Sequence, residues 1–264
     1  MAVHLIAEIS KARVRRNFDR AAASYAPEAG IQRTLAATLA AWEPPPEACP
    51  ERPVLDLGAG TGFVSAAIRR ARPHARIVAV DLSEGMLRAF ENVPGVPRVA
   101  GDAEHLPFAD GTFGEAVSGL SLQWIPDLVA ALSEVRRVLV PGGTIRISAF
   151  VEGTLEEMQR ALSRADADVP AHPLRTAAAL RAAAEAAGLV VDRAATMRRM
   201  MRFERTRDLL AHLRRIGAGT AGISPGRVLL SHERLLAFEA AYRRISGGGP
   251  LPATFLAAFL RARK

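Results

Sequence analysis

Cysteine and lysine are both scarce in this chain of 264 residues. Cys49 is the only cysteine, so an internal disulfide is impossible, and Lys11 and Lys264 are the only lysines. A single thiol is typical of proteins from a reducing compartment, and we therefore expect a cytoplasmic location. The six histidines are scattered without the spacing of metal ligands, so we expect no metal site.

Long apolar runs are also missing. No stretch is apolar over the roughly 20 residues that a membrane-spanning helix needs, and the first residues lack the charged and apolar segments of a signal peptide. The formal net charge is +8, but none of the common nucleic-acid-binding motifs occurs. We expect neither a membrane nor a nucleic acid as a partner. The positive charge either attracts an acidic protein or reflects a composition rich in arginine and alanine.

Glycines are concentrated where a predicted strand meets a predicted helix. Residues 54–62 are Val-Leu-Asp-Leu-Gly-Ala-Gly-Thr-Gly, and residues 63–70 have helical character. Strand, glycine turn and helix open a doubly wound α/β unit. Glycine lets the backbone approach a ligand that a Cβ would block. The final glycine of a dinucleotide fingerprint is absent because Phe63 stands there, which argues against a bound pyrophosphate.

Two acidic residues end the next two predicted strands. Residues 76–81 form an apolar segment that ends in Asp81, and residues 99–103 contain a short strand that ends in Asp102. A carboxylate about 20 residues after the glycine turn accepts hydrogen bonds from ribose hydroxyls. Asp102 can accept a hydrogen bond from an exocyclic amine. Both acids are therefore predicted to bind a nucleoside.

Together these segments resemble the class I S-adenosylmethionine-dependent methyltransferases, and the resemblance extends to residues 106–113 and to Leu-Val-Pro-Gly-Gly at 139–143. It implies a doubly wound α/β fold with a seven-stranded, mostly parallel sheet. It also implies a helical cap over residues 1–46 and a methyltransferase domain over 47–264, with a helical insertion at 205–250 before the last strand. The implied cofactor is S-adenosylmethionine, with S-adenosylhomocysteine as product. The implied cofactor-binding residues are Asp56, Gly58, Ala59, Gly60, Gly62, Asp81, Leu82, Met86, Asp102, Ala103 and Ser118.

The flanking segments resemble a narrower group, the BioC-type malonyl-acyl carrier protein O-methyltransferases. The segments are residues 18–25 with Gln32, 122–124 with Asp127, 153–155 and 213–218. The resemblance implies methylation of the free carboxyl of a malonyl thioester on acyl carrier protein, at the start of pimeloyl synthesis for biotin. Two departures affect the substrate side: Arg214 stands where lysine is usual, and Phe255 stands where tyrosine is common.

A second set of residues is predicted to hold the acceptor. A carboxylate is ionised at neutral pH and needs no general base, so it must mainly be held in line with the methyl carbon. A guanidinium can bind it with two parallel hydrogen bonds. Adjacent helical residues point about 100° apart, so we expect only one of two neighbouring arginines to face the cleft. The catalytic candidates are Tyr25, Arg214 and Arg215, and the substrate candidates are Gln123, Trp124 and His172.

Each of these candidates also has a structural interpretation. Tyr25 can pack under the cap, Trp124 can belong to the core, and His172, which precedes a proline, can be a turn residue. An arginine cluster farther along is either a solvated face or a dock for acidic acyl carrier protein. Its members are Arg198, Arg199, Arg202, Arg205 and Arg207.

Two other functions remain open at this point. The chain could methylate a small molecule such as a quinone precursor, and a C-methylation would need a general base, for which His172 is the candidate. Alternatively, it could bind the cofactor as a partner subunit without activity. These alternatives differ in whether a labelled methyl group is transferred, and in whether the product is a base-labile ester.

Local signals predict several element boundaries. We expect helices at residues 10–24, 34–42 and 127–139, a sixth strand at 189–196 and a seventh at 253–260. Thr154 is the expected N-cap of a further helix, with Glu157 at the capping-box position.

Overall fold

The computed structural model describes residues 10–42, 51–90, 93–165, 174–217 and 232–264. Cys49 and His172 lie outside these ranges. Within them the strands are β1 (Val54–Leu57), β2 (Ile77–Asp81), β3 (Arg98–Ala100), β4 (Phe113–Gly119), β5 (Leu139–Phe150), β6 (Val190–Phe203) and β7 (Leu251–Arg263).

The helices alternate with the strands over most of the chain. They are α1 (Lys11–Glu28), α2 (Gly30–Ala41), α3 (Phe63–Ala71), α4 (Glu84–Arg88), α5 (Leu128–Val138), α6 (Glu156–Arg164), α7 (Ala177–Ala186), α8 (Thr206–Arg215) and α9 (His232–Ile245), with a short 3-10 helix at Leu122–Trp124. No helix in the described ranges is long and apolar enough to span a bilayer.

The strands form one sheet in the order β3-β2-β1-β4-β5-β7-β6. Strands β1 to β5 are parallel to one another, and β7 runs antiparallel between β5 and β6. The predicted doubly wound α/β fold with seven strands is confirmed. The strand order reverses between β1 and β4, and open α/β sheets bind ligands beyond the carboxyl ends of the strands at such a point.

Apolar layers cover both faces of the sheet. One layer joins α2, α3, α6, α8 and α9 to residues such as Phe255 and Phe259 of β7. The other joins α5 and α7 to Ala258 and Leu260 of the same strand. Successive side chains of a strand point to opposite faces, so an apolar run such as β7 contributes to both layers.

A buried ion pair ties α2 to the sheet. Arg146 of β5 is fully buried, and its Nε donates to Glu115 Oε1 of β4 at 2.8 Å. Its Nη1 donates to the carbonyls of Leu39 at 2.8 Å and Ala40 at 2.9 Å. The last carbonyls of a helix have no partner within the helix, so the guanidinium completes the end of α2.

The first helix and the sixth strand both extend beyond their predicted boundaries. α1 continues through Tyr25 and Pro27 to Glu28, because the amide of Ala29 donates to the Tyr25 carbonyl beyond the proline. β6 continues to Phe203, because residues 197–203 each pair with β7. Part of the arginine cluster therefore lies on an edge strand that extends the sheet.

The predicted capping box of α6 is wrong. Leu155, in the left-handed region at φ 56°, precedes the helix, and no side chain caps it. The Thr154 hydroxyl instead lies 3.1 Å from both the carbonyl and the amide of Leu256, and Glu157 accepts from the Thr254 amide at 3.1 Å. Both side chains tie α6 to β7, a tertiary partner that competes with local capping.

Candidate active site

The glycine loop between β1 and α3 has a left-handed backbone. The φ angles are +69° at Gly58, +55° at Gly60 and +93° at Gly62, a region that side chains disfavour. A Cβ at Gly58 would lie 2.2 Å from the Cβ of Ser121, whereas a Cβ at Gly60 would have no neighbouring atom within 4 Å. Gly60 therefore faces open space beside the carboxyl end of β1, where a ligand can approach the backbone.

Asp81 joins this loop to the end of β2. Its Oδ2 accepts from the Gly60 amide at 2.8 Å, and its Oδ1 accepts from the Ser83 amide at 2.8 Å. Burial raises the pKa of Asp81, and the two backbone amides oppose that shift. The residue predicted to bind ribose hydroxyls thus lies directly against the glycine loop.

Asp56 lies fully buried beneath the loop. Its Oδ2 accepts from the Ser65 amide at 2.9 Å and the Ser65 hydroxyl at 2.6 Å. Burial raises the pKa of Asp56 to about 7; the Ser65 hydrogen bonds lower it, and the charge of Asp81 adds to the rise. Within the described part of the chain, Asp56 Oδ1 and Thr61 Oγ1 are buried without hydrogen-bond partners. Orphaned polar atoms beside an open backbone fit a polar ligand.

Asp102 follows β3 and is held by a residue from α1. Lys11 Nζ lies 2.6 Å from Asp102 Oδ2 and 2.6 Å from Glu104 Oε2. Asp102 Oδ1 also accepts from the Glu104 amide at 3.0 Å. Burial raises the pKa of Asp102, but the hydrogen bonds from Lys11 and the amide outweigh it and lower the pKa overall. The carboxylate is therefore ionised, and it can accept a hydrogen bond from an exocyclic amine.

Two aromatic residues of α1 contact the same edge of the sheet. The ring of Tyr25 stacks on Phe63 with centroids 6.0 Å apart, and Phe18 meets Trp124 edge to face at 5.5 Å. Burial, with the negative charge of Asp81, raises the pKa of Tyr25. The phenol therefore stays protonated at neutral pH and can donate a hydrogen bond.

The remaining predicted cofactor residues lie at this edge as well. The Ser118 hydroxyl donates to the Leu57 carbonyl at 3.0 Å, beneath the glycine loop. Met86 is buried in α4, and its amide donates to the Ser83 hydroxyl at 3.1 Å. Ala59 is buried, and Leu82 and Ala103 are partly buried.

The substrate candidates are only partly brought together. Gln123 is buried, and its Nε2 donates to the Leu120 carbonyl at 2.7 Å in the turn that leads to Trp124. Trp124 lies against α1 through Phe18. His172 falls outside the described residues, so its place relative to Trp124 stays a prediction.

The two predicted arginine anchors lie at the end of α8 and differ in their surroundings. Arg215 Nε pairs with Glu28 Oε1 of α1 at 2.7 Å. Arg214 is exposed. A Cβ at Gly217 would lie 2.9 Å from the Phe18 ring, so the end of α8 packs closely on α1. Within the described part of the chain, neither guanidinium is hydrogen-bonded to Tyr25.

Sequence reasoning missed Lys11 and Asp19. Asp19 Oδ1 accepts from the Ser83 hydroxyl at 2.6 Å and from the Gly85 amide at 2.9 Å, just after β2. Lys11, Phe18 and Tyr25 recur at steps of seven residues, which places them on one face of a helix, and Asp19 lies next to Phe18 at the border of that face. That periodicity was the available signal.

The fold and this edge of the sheet define a class I methyltransferase, the class of enzymes that binds S-adenosylmethionine. Residues 55–147 match the family model for the methyltransferase domain. The chain is 36% identical to the malonyl-[acyl-carrier protein] O-methyltransferase of Dechloromonas aromatica over 97% of its own length and 95% of that protein. It is 34% identical to the biotin biosynthesis bifunctional protein BioHC of Cellvibrio japonicus, over 95% of its own length and 50% of that protein. The chain belongs to the methyltransferase family of these relatives.

Solved structures share the fold at lower identity. The YcgJ protein of Bacillus subtilis superposes with a TM-score of 0.59 at 20% identity, over 89% of this chain and 98% of that one. Phosphoethanolamine N-methyltransferase 2 of Haemonchus contortus, solved with S-adenosylmethionine, gives 0.55 at 19% identity over 93% and 57%. At such identities the likeness shows the fold alone.

Proposed function

We propose that this protein transfers a methyl group from S-adenosylmethionine to the free carboxylate of a malonyl thioester on acyl carrier protein. The methyl ester removes the negative charge of the malonyl group and primes pimeloyl synthesis for biotin. The observation that carries the proposal is similarity over nearly the full chain, at 36% and 31% identity, to two curated malonyl-[acyl-carrier protein] O-methyltransferases. The alignments extend beyond residues 55–147, which match the methyltransferase domain, into the flanking segments that would select the acceptor.

The cofactor side of the site suits this reaction. S-adenosylmethionine supplies a methyl group that its sulfonium makes electrophilic. Asp81 would accept hydrogen bonds from the ribose hydroxyls, and Asp102 would accept one from the adenine amine. The open backbone at Gly60 would lie against the cofactor. Asp56 Oδ1, buried without a partner among the described residues, adds an acceptor beneath the loop.

The acceptor carboxylate must be held in position and partly shielded from water. A carboxylate is already a nucleophile at neutral pH, so no general base is required. The aromatic rings of Phe18, Tyr25, Phe63 and Trp124 form an apolar wall that would exclude water from the reacting oxygen. The protonated Tyr25 phenol would donate one hydrogen bond to the acceptor. Arg214 or Arg215 would supply the cation that holds the distal carboxylate oxygen.

The β6–β7 pair would receive the carrier protein. Phe150, the last residue of β5, pairs with Ala257, and Ala257 pairs with Met197, so residues 198–203 extend past the carboxyl end of β5. Arg199 and Arg202 of this extension are exposed and form no ion pair within the described ranges. Acyl carrier proteins are acidic, so exposed positive charge on the same side of the sheet as the carboxyl ends of its parallel strands would favour their approach.

Transfer of label from S-adenosylmethionine tests the proposal. The protein is incubated with the labelled cofactor and either malonyl-acyl carrier protein or acetyl-acyl carrier protein, which lacks the free carboxyl. We expect label on the malonyl carrier alone and its loss under mild base, as for an ester. Malonyl-coenzyme A in parallel shows whether the carrier protein is needed. Base-stable label, label on the acetyl carrier, or cofactor binding without transfer would each refute the proposal.

A further inference from the structure

Helix α1 contacts three separate parts of the cofactor-binding edge. At its beginning, Lys11 bonds Asp102 and Glu104 after β3. In its middle, Asp19 bonds Ser83 and Gly85 after β2. Near its end, Tyr25 stacks on Phe63 at the start of α3. Residues 11 and 25 are separated by about 21 Å along a helix axis, so one rigid element spans all three loops.

We propose that α1 is the gate for cofactor exchange and that Lys11 is the positioning residue that latches this gate at its adenine end. The loops that α1 contacts are those whose residues would hold the adenine, the ribose and the methyl-bearing end. A cofactor bound along this edge is therefore covered by α1, and its release requires these contacts to break. The proposal concerns cofactor exchange and is independent of the acceptor.

The contact made by Lys11 is the strongest of the three. Its ammonium lies 2.6 Å from two carboxylates, and its side chain is 31% exposed, against 30% for Asp102 and 11% for Glu104. In the Lys11 contact both the donor and the acceptors are charged. In the Asp19 contact only the acceptor is charged, because the donors are a hydroxyl and an amide, so its hydrogen bonds are weaker. Without Lys11 the carboxylates of Asp102 and Glu104 would repel each other, and nothing else from α1 would neutralise them.

The latch also orients the adenine acceptor. Lys11 occupies one lone pair of Asp102 Oδ2 and the Glu104 amide occupies Oδ1. These two bonds fix the carboxylate plane, and the remaining lone pairs can accept an amine. Because the latch is a partly exposed ion pair, added salt should weaken it.

Release of S-adenosylhomocysteine measures the gate directly. Full-length protein is loaded with S-adenosylhomocysteine, and its displacement by excess S-adenosylmethionine is followed by stopped-flow fluorescence. We expect Lys11→Met to speed release about five- to twenty-fold, a range discounted for partial exposure. Glu104→Gln, which removes one carboxylate of the latch and leaves the adenine acceptor intact, should speed release by roughly two- to five-fold.

Arg13→Met is the matched control. Arg13 is an exposed residue of the same helix, so this variant removes the same charge without touching Asp102 or Glu104, and its release rate should stay within about twofold of wild type. Hydrogen exchange of the α1 amides provides a second readout, and it should be faster in Lys11→Met than in Arg13→Met.

Two results would overturn the proposal. In the first, Lys11→Met releases S-adenosylhomocysteine at the wild-type rate and with the wild-type salt dependence. In the second, release is faster but exchange of the α1 amides is unchanged, so that Lys11 acts only through Asp102. If Lys11→Met fails to fold by circular dichroism, Glu104→Gln decides by the same two criteria.

Discussion

The two ends of the sheet handle charge in opposite ways. Around β1 to β3 the charged groups are carboxylates fixed by donors from the protein, as the amides of Gly60 and Ser83 fix Asp81. Around β6 and α8 they are mostly arginines at the surface, and Arg199 and Arg202 form no ion pair within the described ranges. A small cofactor requires hydrogen-bonding groups at fixed positions, whereas a macromolecular partner can be attracted by the electrostatic field of many surface charges.

This contrast makes different demands on the two ends. The cofactor end should respond to changes of shape and hydrogen bonding. Apart from the partly exposed Lys11 ion pair, salt should affect it little because its acids are buried or bonded. The arginine end should respond to charge and salt and tolerate changes of side-chain shape. Four sets of variants separate these behaviours.

The largest effect is expected at Gly60. Valine there would have to adopt φ near +55°, and its side chain would fill the open space against which the cofactor would lie. We expect S-adenosylmethionine affinity by calorimetry to fall by more than about a hundredfold, or roughly 3 kcal/mol. Gly142→Val carries similar strain, at φ +77° with no atom within 4 Å of its Cβ, but at the amino end of β5. Unchanged affinity in Gly60→Val, or equal losses in both variants, would contradict the placement of the cofactor.

The arginine anchor should show the next largest effect. If Arg214 holds the acceptor carboxylate, Arg214→Ala should lower kcat/KM by about 2–4 kcal/mol, because a desolvated charge loses its partner. Arg215→Ala should cost less, since that guanidinium pairs with Glu28. Arg244→Ala, on the exposed side of α9, is the control. Steady-state kinetics with malonyl-acyl carrier protein measures all three, and full activity in both Arg214→Ala and Arg215→Ala places the anchor elsewhere.

Asp56 should make the stability of the cofactor-free protein fall as pH rises. Its pKa is about 7 in the folded protein, above the ordinary value, so the folded state binds more protons between about pH 4 and 7. Stability is therefore greatest at the acid end of this window and is lost through pH 7. Between pH 5 and 8 the free energy of unfolding of the wild type should fall by on the order of 2 kcal/mol because of Asp56, and this fall should be absent from Asp56→Asn. Urea unfolding at each pH measures both.

Asp192, at the other end of the sheet, gives the opposite sign. Burial raises its pKa, but the bond from Arg261 at 2.9 Å and the charges nearby lower it overall. Its contribution to stability is lost only as pH falls through that low pKa. Asp192→Asn should therefore change the free energy of unfolding by the same amount at every pH between 5 and 8, so that its dependence on pH stays that of the wild type. Equal pH slopes for wild type and Asp56→Asn would contradict the raised pKa of Asp56.

The smallest effect is expected from the arginines of β6. Reversing the charge at Arg199 and Arg202 to Glu should raise KM for malonyl-acyl carrier protein by roughly three- to ten-fold and leave cofactor affinity unchanged. The wild-type KM should also rise with salt, because screening shortens to about 10 Å at 0.1 M. Arg70→Glu, near the amino edge of the sheet, is the control. If KM changes neither with salt nor with charge reversal, these arginines do not bind the carrier protein and the positive charge reflects only the composition of the chain.

The sequence predicts the cofactor end better than the rest, for a physical reason. The glycine loop, Asp81 and Asp102 each follow a short apolar strand, and parallel strands bring their carboxyl ends to one edge whatever the side chains elsewhere do. The partners of Lys11 and Arg146 are separated from them by 91 and 107 positions, so no local pattern shows them. Thr154 and Glu157 matched a local capping pattern but bond a distant strand instead.

The burial of Arg146 limits how far the chain can be shortened for expression. A fragment that begins at residue 47 would lack the Leu39 and Ala40 carbonyls, and the guanidinium would keep only its bonds to Glu115 from the set described. Hydrogen bonds to a charged group each contribute about 1.5–3 kcal/mol, so losing these carbonyls removes a large part of the stability of most domains. Leu35 and Leu39, both fully buried, would be lost as well, and the apolar surface that they cover would be exposed to water. A minimal catalytic fragment should therefore keep α2 even where α1 is removed.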